Sequence, residues 1–384
     1  MAFDIRDIGE AIDFRRELHR HPELSGEEAK TAAAVLSRLA EQEPDRLLSG
    51  LGGHGVAAVF EGAAAGPTVL LRSELDALPI QEIGAIEHRS QIENKGHLCG
   101  HDGHSAILTL VGTELARRRP QRGRVVLLFQ PAEETGAGAD AVIADPAFAQ
   151  IKPDYALSLH NLPGLPFGEV ALREGPVNCA SRGLRVELRG RTAHASMPQD
   201  GVSPMGAMAR LMPALTALGA GGPLRDGFRL VTVTHARLGE PAFGIAPGHG
   251  EIWATLRTLQ DEAMQGLVAE AEAIAVAVAR GAGLDCAMSY HDIFRHCDNH
   301  PEAVALLRRA LDGEGIAHRP GEPIYPSEDF GRFADVSKSA MFFLGAGIDH
   351  PRLHNPDYDF PDDLLAVGAR VFLRAVRELL GFDH

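Results

Sequence analysis

Between residues 182 and 291 the hydrophobic rhythm of the chain changes, and this change restricts the possible folds more than any other feature. Outside that interval, HGVAAVFEG (54–62) and TVLLRSELDALP (68–79) read as strands ending in turn signals, RVVLLFQ (124–130) and YALSLHN (155–161) as short apolar runs of the buried parallel-strand kind, and SAMFFLGAG (339–347) as a further strand. Helical spacing over 5–20, 27–42, 104–119, 301–312 and 362–380 separates or flanks them. Ile5, Ile8 and Ile12, then Val35, Leu36 and Leu39, are expected to face inward, and Asp102 to cap the third helix. Inside the interval the strands alternate apolar with polar, as half-exposed strands do: RGLRVELRG (182–190), RLVTVTHARLG (229–239), GEIWATLRTL (250–259) and LDCAMSYH (284–291). Helices are expected at 203–218 and 261–281. The order β-α-β-β-α-β predicts a split βαβ unit on an antiparallel sheet. The chain is therefore read as an α/β domain (1–180 and 293–384) into which a smaller α+β domain (181–292) is inserted.

Composition narrows the function. Apolar residues make up 45% of the 384, enough for a sizeable core. A net charge of −15 argues against a nucleic-acid partner, which requires clustered Lys and Arg. The N-terminal stretch is charged throughout and lacks the apolar core of a secretory signal. No window approaches the eighteen apolar residues of a membrane span. Cys99, Cys179, Cys286 and Cys297 are scattered and are read as free thiols in a reducing cytoplasm.

The chemistry-bearing residues fall at one kind of place. GHLCGHDGH (96–104) sets Cys99, His101 and His104 just before a helix, at the end of a long polar loop. Asp76 follows the strand at 68, Glu133 and Glu134 (in QPAEET) follow the strand at 124, and His160 ends the strand at 155. In open parallel sheets, sites form beyond the carboxyl ends of strands, so parallel neighbours would bring these groups to one edge. Thiolate, imidazole and carboxylate are the protein ligands of zinc and similar divalent ions. Taken singly each has a plainer reading: a structural thiol for Cys99, satisfied helix-start histidines for His101 and His104, an acidic first turn for Glu133–Glu134, a core histidine for His160.

Taken in order, the segments RRELHRHPELSGEE, LLRSELDALPIQE, GHLCGHDGHSAIL, FQPAEETGAGA, LHNLP, GRTAHASMPQDGVSP, ATLRT, PSEDF and LHNPDYDF closely resemble the M20 metallopeptidase family. They resemble in particular its amidohydrolase branch of hippurate, N-acyl-amino-acid and auxin-conjugate hydrolases. The resemblance implies a zinc-exopeptidase-like catalytic domain, a mainly parallel mixed sheet sandwiched by helices, carrying a ferredoxin-like lid and dimerisation domain. It implies two divalent ions per subunit (manganese or zinc, with cobalt and nickel as alternatives) on Cys99, His101, Glu134, His160 and His354. Glu133 would be the general base for a water made acidic by the ions, and Asp76 would orient a ligand. His194 would reach the partner subunit's active site and hold the oxyanion, Arg257 would bind the substrate carboxylate, and Glu328 and Asp329 would support the metals or form a solvated acidic turn. The implied protein is a cytoplasmic homodimer that splits N-acyl amino acids into a carboxylic acid and an amino acid. A dipeptidase or aminopeptidase on the same scaffold, and a non-catalytic metal- or ligand-binding relative, are the other readings. Three positions depart from the family pattern: Glu74 and Gly244 stand where an aspartate and an asparagine are usual, and Ala254 replaces a glycine.

Overall fold

The computed structural model describes residues 3–382. The chain forms two compact units: the first runs up to Val177 and includes Cys297–Glu322 and everything from Glu328 onward, and the second is Asn178–His296 with Pro323–Ser327.

The first unit is built on an eight-stranded sheet in the spatial order Arg46–Leu51, Gly55–Glu61, Arg122–Gln130, Ala64–Glu74, Tyr155–Pro163, Lys338–Gly347, Val170–Leu172, His318–Pro320. The four strands from Arg122–Gln130 to Lys338–Gly347 run parallel. The two beyond Arg122–Gln130 are antiparallel. The parallel strands are mostly apolar because both faces are covered: residues 125–130 and 156–161 are all buried. Helices Ile5–Arg20, Ala29–Ala40, His101–Arg117, Pro301–Glu314 and Leu364–Leu380 supply Ala11, Val35, Leu39, Leu108, Leu307 and Phe372 to one core with the sheet.

Two details differ from the sequence reading. Ile5 is 87% exposed, and the inward side of its helix carries Ala11, Arg15, Leu18 and His19. Asp102 does not cap its helix. The helix starts at His101 after Gly100, and Asp102 is buried in the first turn, where Arg15 and His19 occupy its carboxylate.

The second unit is an antiparallel four-stranded sheet in the order Arg229–Leu238, His249–Thr258, Ala180–Arg189, Asp285–Phe294, with helices Met205–Thr216 and Asp261–Gly281. This is the ferredoxin-like β-α-β-β-α-β arrangement. Alternation explains it: Leu184, Val186 and Leu188 pack with Leu211, Leu215, Leu267 and Ala271, while Arg185, Glu187 and Arg189 point to the opposite face. Leu211 is fully buried in this core, so Leu211→Ala should lower unfolding free energy by about 2–5 kcal/mol through lost contacts and a cavity. Val276→Ala, at a 43% exposed position, should change it by less than about 0.5 kcal/mol. Equal urea midpoints for the two variants would contradict this packing.

Candidate metal centre

The ends of the parallel strands build the site. Glu74 ends its strand opposite Gln130, and Leu75 N–H still donates to Gln130 O at 2.8 Å, so the two chains leave the sheet together. One continues to Asp76. The other turns through Ala132, at φ 51°, to Glu133 and Glu134. A positive φ at a non-glycine residue is uncommon, and here the buried Glu28 holds it by accepting the Ala132 N–H at 2.8 Å. Cys99 and His101 flank Gly100, whose φ is 95°. A Cβ at Gly100 would overlap Asn161 Oδ1, so the helix start lies directly on the strand end that carries His160.

Five donor sets result among the described residues, in each of which the ligand atoms lie within 4.8 Å of one another: Cys99, His101 and His160; Cys99, Glu134 and His354; His101, Glu133 and Glu134; and, among neighbouring groups, Glu74, His101 and His104, and Glu133, Glu328 and Asp329. Cys99 Sγ is 3.5 Å from His160 Nε2, His101 Nε2 is 3.9 Å from Glu134 Oε1, and His354 Nε2 is 3.7 Å from Glu134 Oε2. The imidazoles are pre-set. His101 Nδ1 donates to Asp76 O at 2.9 Å and His160 Nδ1 to Asn161 O at 2.8 Å, which leaves both Nε2 lone pairs directed into the cluster. Asp76 accepts from Ser25 Oγ at 2.7 Å and from Glu134 N–H at 2.9 Å through one oxygen, and its other oxygen lies 3.4 Å from His101 Nδ1.

Charge then decides what the cluster binds. Burial, with Glu328, Glu134 and Asp329 close by, pushes the Glu133 carboxyl well above the usual range. Burial pushes Glu134 up to about 7 and raises the Cys99 thiol well above its ordinary value. Burial and His104 keep His160 neutral, hence a competent lone-pair donor. Burial acts to lower His101 as well, yet the hydrogen bond to Asp76 and the field of Glu74 and Glu134 push it up to about 10. A cation at His101 Nε2 is what this field favours. His101 Nε2 and Glu134 Oε1 are buried with no hydrogen-bond partner, an arrangement that fits divalent metal ligation and otherwise costs desolvation free energy.

Residues that motif reading passed over complete the surroundings. Arg72, buried within a parallel strand, binds Glu74, Glu328 (2.9 Å) and Asp329 (2.5 Å). Asp329 N–H donates to Glu133 Oε1 at 3.3 Å. Glu74 therefore turns to Arg72, and to His104 Nδ1 at 2.7 Å. His104 Nε2 lies 2.5 Å from Asn161 Oδ1, so both its nitrogens are engaged.

His194 and Arg257 lie in the second unit. His194, exposed, sits in a two-residue strand paired with Ile245–Ala246, its Nδ1 2.8 Å from Ser196 Oγ. Arg257 Nη1 donates to Tyr325 O (2.6 Å) and Ser327 Oγ (2.7 Å). Burial lowers the pKa of Arg257. A side chain at Gly244 would meet nothing within 4 Å.

Residues 70–378 match the sequence model of peptidase family M20/M25/M40. The chain belongs to this family. A hippurate hydrolase of Campylobacter jejuni is 30% identical over 381 residues, 98% of each chain, and an N-acetylcysteine deacetylase of Bacillus subtilis is 28% identical over 365 residues, 94% of each. A Bacillus subtilis structure described as a dinuclear metal binding peptidase from the M20 family superposes with a TM-score of 0.82 at 25% identity, covering 98% of this chain and 99% of that one. As an M20 member the protein is a metal-binding hydrolase of amide C–N bonds. Among the described residues, no helix is long and apolar enough to cross a membrane.

The raised thiol of Cys99 and imidazolium of His101 must each lose a proton before ligating a metal. Zinc uptake by the metal-stripped protein should therefore release protons into a weakly buffered solution, and affinity should rise as pH rises through neutrality. Uptake with no proton release would contradict this.

Proposed function

We propose that the protein is a dinuclear-metal amidohydrolase that cleaves N-acyl amino acids, such as N-acetyl or N-benzoyl conjugates, to a carboxylic acid and a free amino acid. The observation that carries this reading is the pair of donor sets sharing Cys99, one with His101 and His160 and one with Glu134 and His354, beside an additional buried carboxyl, Glu133. Two divalent ions held by these residues would supply Lewis acidity toward a water and the scissile carbonyl. Glu133 accepts the proton of the attacking water. Its burial raises its proton affinity, so it holds that proton as the tetrahedral adduct forms and passes it to the leaving amine nitrogen as the C–N bond breaks. The Asp329 N–H fixes one Glu133 oxygen during the transfer.

In this reading Arg257 binds the carboxylate of the amino-acid portion. Its guanidinium is held at one nitrogen by a carbonyl and a hydroxyl and pairs with no carboxylate among the described residues, which leaves donors for a bidentate contact. His194 supports the oxyanion from the partner subunit of a homodimer formed through the second unit, where Arg229–Leu238 and Asp285–Phe294 are open sheet edges. Four unpaired cysteines suit a cytoplasmic protein.

Glu133→Gln should retain metal content and lose roughly 10²–10⁴ in kcat on N-acyl amino acids, the usual contribution of a positioned base. Undiminished turnover would remove Glu133 from the mechanism. Arg257→Met should raise KM for N-acyl amino acids with little change in kcat, and leave N-acyl amino amides, which lack the carboxylate, unaffected. An unblocked dipeptide turned over faster than every N-acyl amino acid in a panel would replace the amidohydrolase reading with a dipeptidase.

A further inference from the structure

Like Cys99 and Glu134, the proposed metal ligand His354 comes from irregular chain. Between the strand Lys338–Gly347 and the helix Leu364–Leu380 there is no regular element. His354 has φ 65°, a left-handed conformation that persists only where its surroundings impose it. Its side chain is 49% exposed, so packing does not fix the ring. Its backbone N–H donates to Leu98 O at 2.8 Å. The other imidazoles have their own anchors in Asp76 O and Asn161 O. What holds the His354 segment lies farther along it: Asp359 and Asp362, both clamped by one side chain from the N-terminal helix.

That side chain is Arg15. It is fully buried. Nη1 donates to Asp359 Oδ1 at 2.7 Å, Nε lies 2.6 Å from Asp362 Oδ1, and Nη1 also donates to Asp102 Oδ2 at 3.1 Å. Asp102 directly follows the ligand His101 and is fixed a second time by His19 Nδ1 at 2.8 Å. Burial acts against the charge of Arg15, and the three aspartates more than offset it, so the guanidinium stays charged. His88 adds a contact to Asp359 at 3.1 Å, and Ile83 N–H ties Pro356 O at 2.8 Å.

We propose that Arg15 is a positioning residue for the metal centre: it locks the segment bearing His354 to the helix start bearing His101, and so sets the affinity of the ion that uses His354 without governing the other. This rests on the two-ion reading above. A lysine at this position would carry the charge but lacks the planar fork that spans the aspartates.

The test is a cobalt(II) titration of metal-stripped full-length protein, followed by calorimetry and by the cobalt–thiolate absorption of Cys99. Wild type should take up two equivalents per chain. Arg15→Met and Asp359→Ala should each keep one tight equivalent with its thiolate band and bind the other at least tenfold more weakly. The weakened equivalent should be the one that His354→Ala loses, and excess cobalt should restore turnover. Asp359, partly exposed, keeps the test available if Arg15→Met does not fold. Wild-type affinity for both equivalents in Asp359→Ala, or equal weakening of both, overturns the proposal. Fewer than two equivalents in the wild type overturns the two-ion reading itself, and this proposal with it.

Discussion

Glu74, Glu133, Glu134, Glu328 and Asp329 crowd one edge of a parallel sheet around a single guanidinium, that of Arg72. Burying an unpaired carboxylate is costly, and one cation does not neutralise five. The imbalance shows in how burial and mutual repulsion raise Glu133, Glu134 and Asp329, the last two to about 7, while the Asp76 hydrogen bond, with Glu74 and Glu134, pushes His101 up to about 10 against its burial. The neighbouring groups fit a cation brought to that edge. Two imidazoles are turned by carbonyls so that their lone pairs face the cluster, and a buried thiol stands between two sets of donors.

The scaffold achieves this convergence with backbone conformations that most residues avoid. Ala132, Gly100 and His354, each at positive φ, lie beside or within the three ligand-bearing turns. Each is held from outside its own segment: Ala132 by Glu28, Gly100 by close approach to Asn161, His354 by Leu98 and the aspartates that Arg15 grips. Local strain tolerated because distant groups enforce it is characteristic of functional sites.

Much of the first layer of donors was legible. Cys99, His101, Glu133, Glu134 and His160 follow or end recognisable apolar strands, or begin a helix, and parallel pairing brings strand ends to one edge. His354 was reachable only through resemblance, because no periodicity marks an irregular segment. The carboxylates Glu328 and Asp329 were named through the resemblance, but the buried arginines that pair with the site's acids were not legible. Arg15 falls on the inward stripe that Ile8 and Ile12 mark, where helical spacing calls for an apolar residue, and its partners Asp102 and Asp359 are 87 and 344 residues away. Arg72 interrupts an apolar strand, and its partner Asp329 is 257 residues distant. A buried ion pair between such separated positions leaves no local pattern. Glu74 stood out as a departure from the family sequence, but that its carboxylate meets Arg72 and His104 is visible only in three dimensions.

The proposed function requires that two cations be drawn to this edge by the charge it buries. Anomalous diffraction from crystals grown with zinc, recorded on both sides of the zinc absorption edge, tests this directly. Two anomalous peaks per chain are expected, each within bonding distance of Cys99 Sγ, one also contacting His101 and His160 and the other Glu134 and His354. Zinc bound elsewhere on the chain, with this cluster bare, would contradict it.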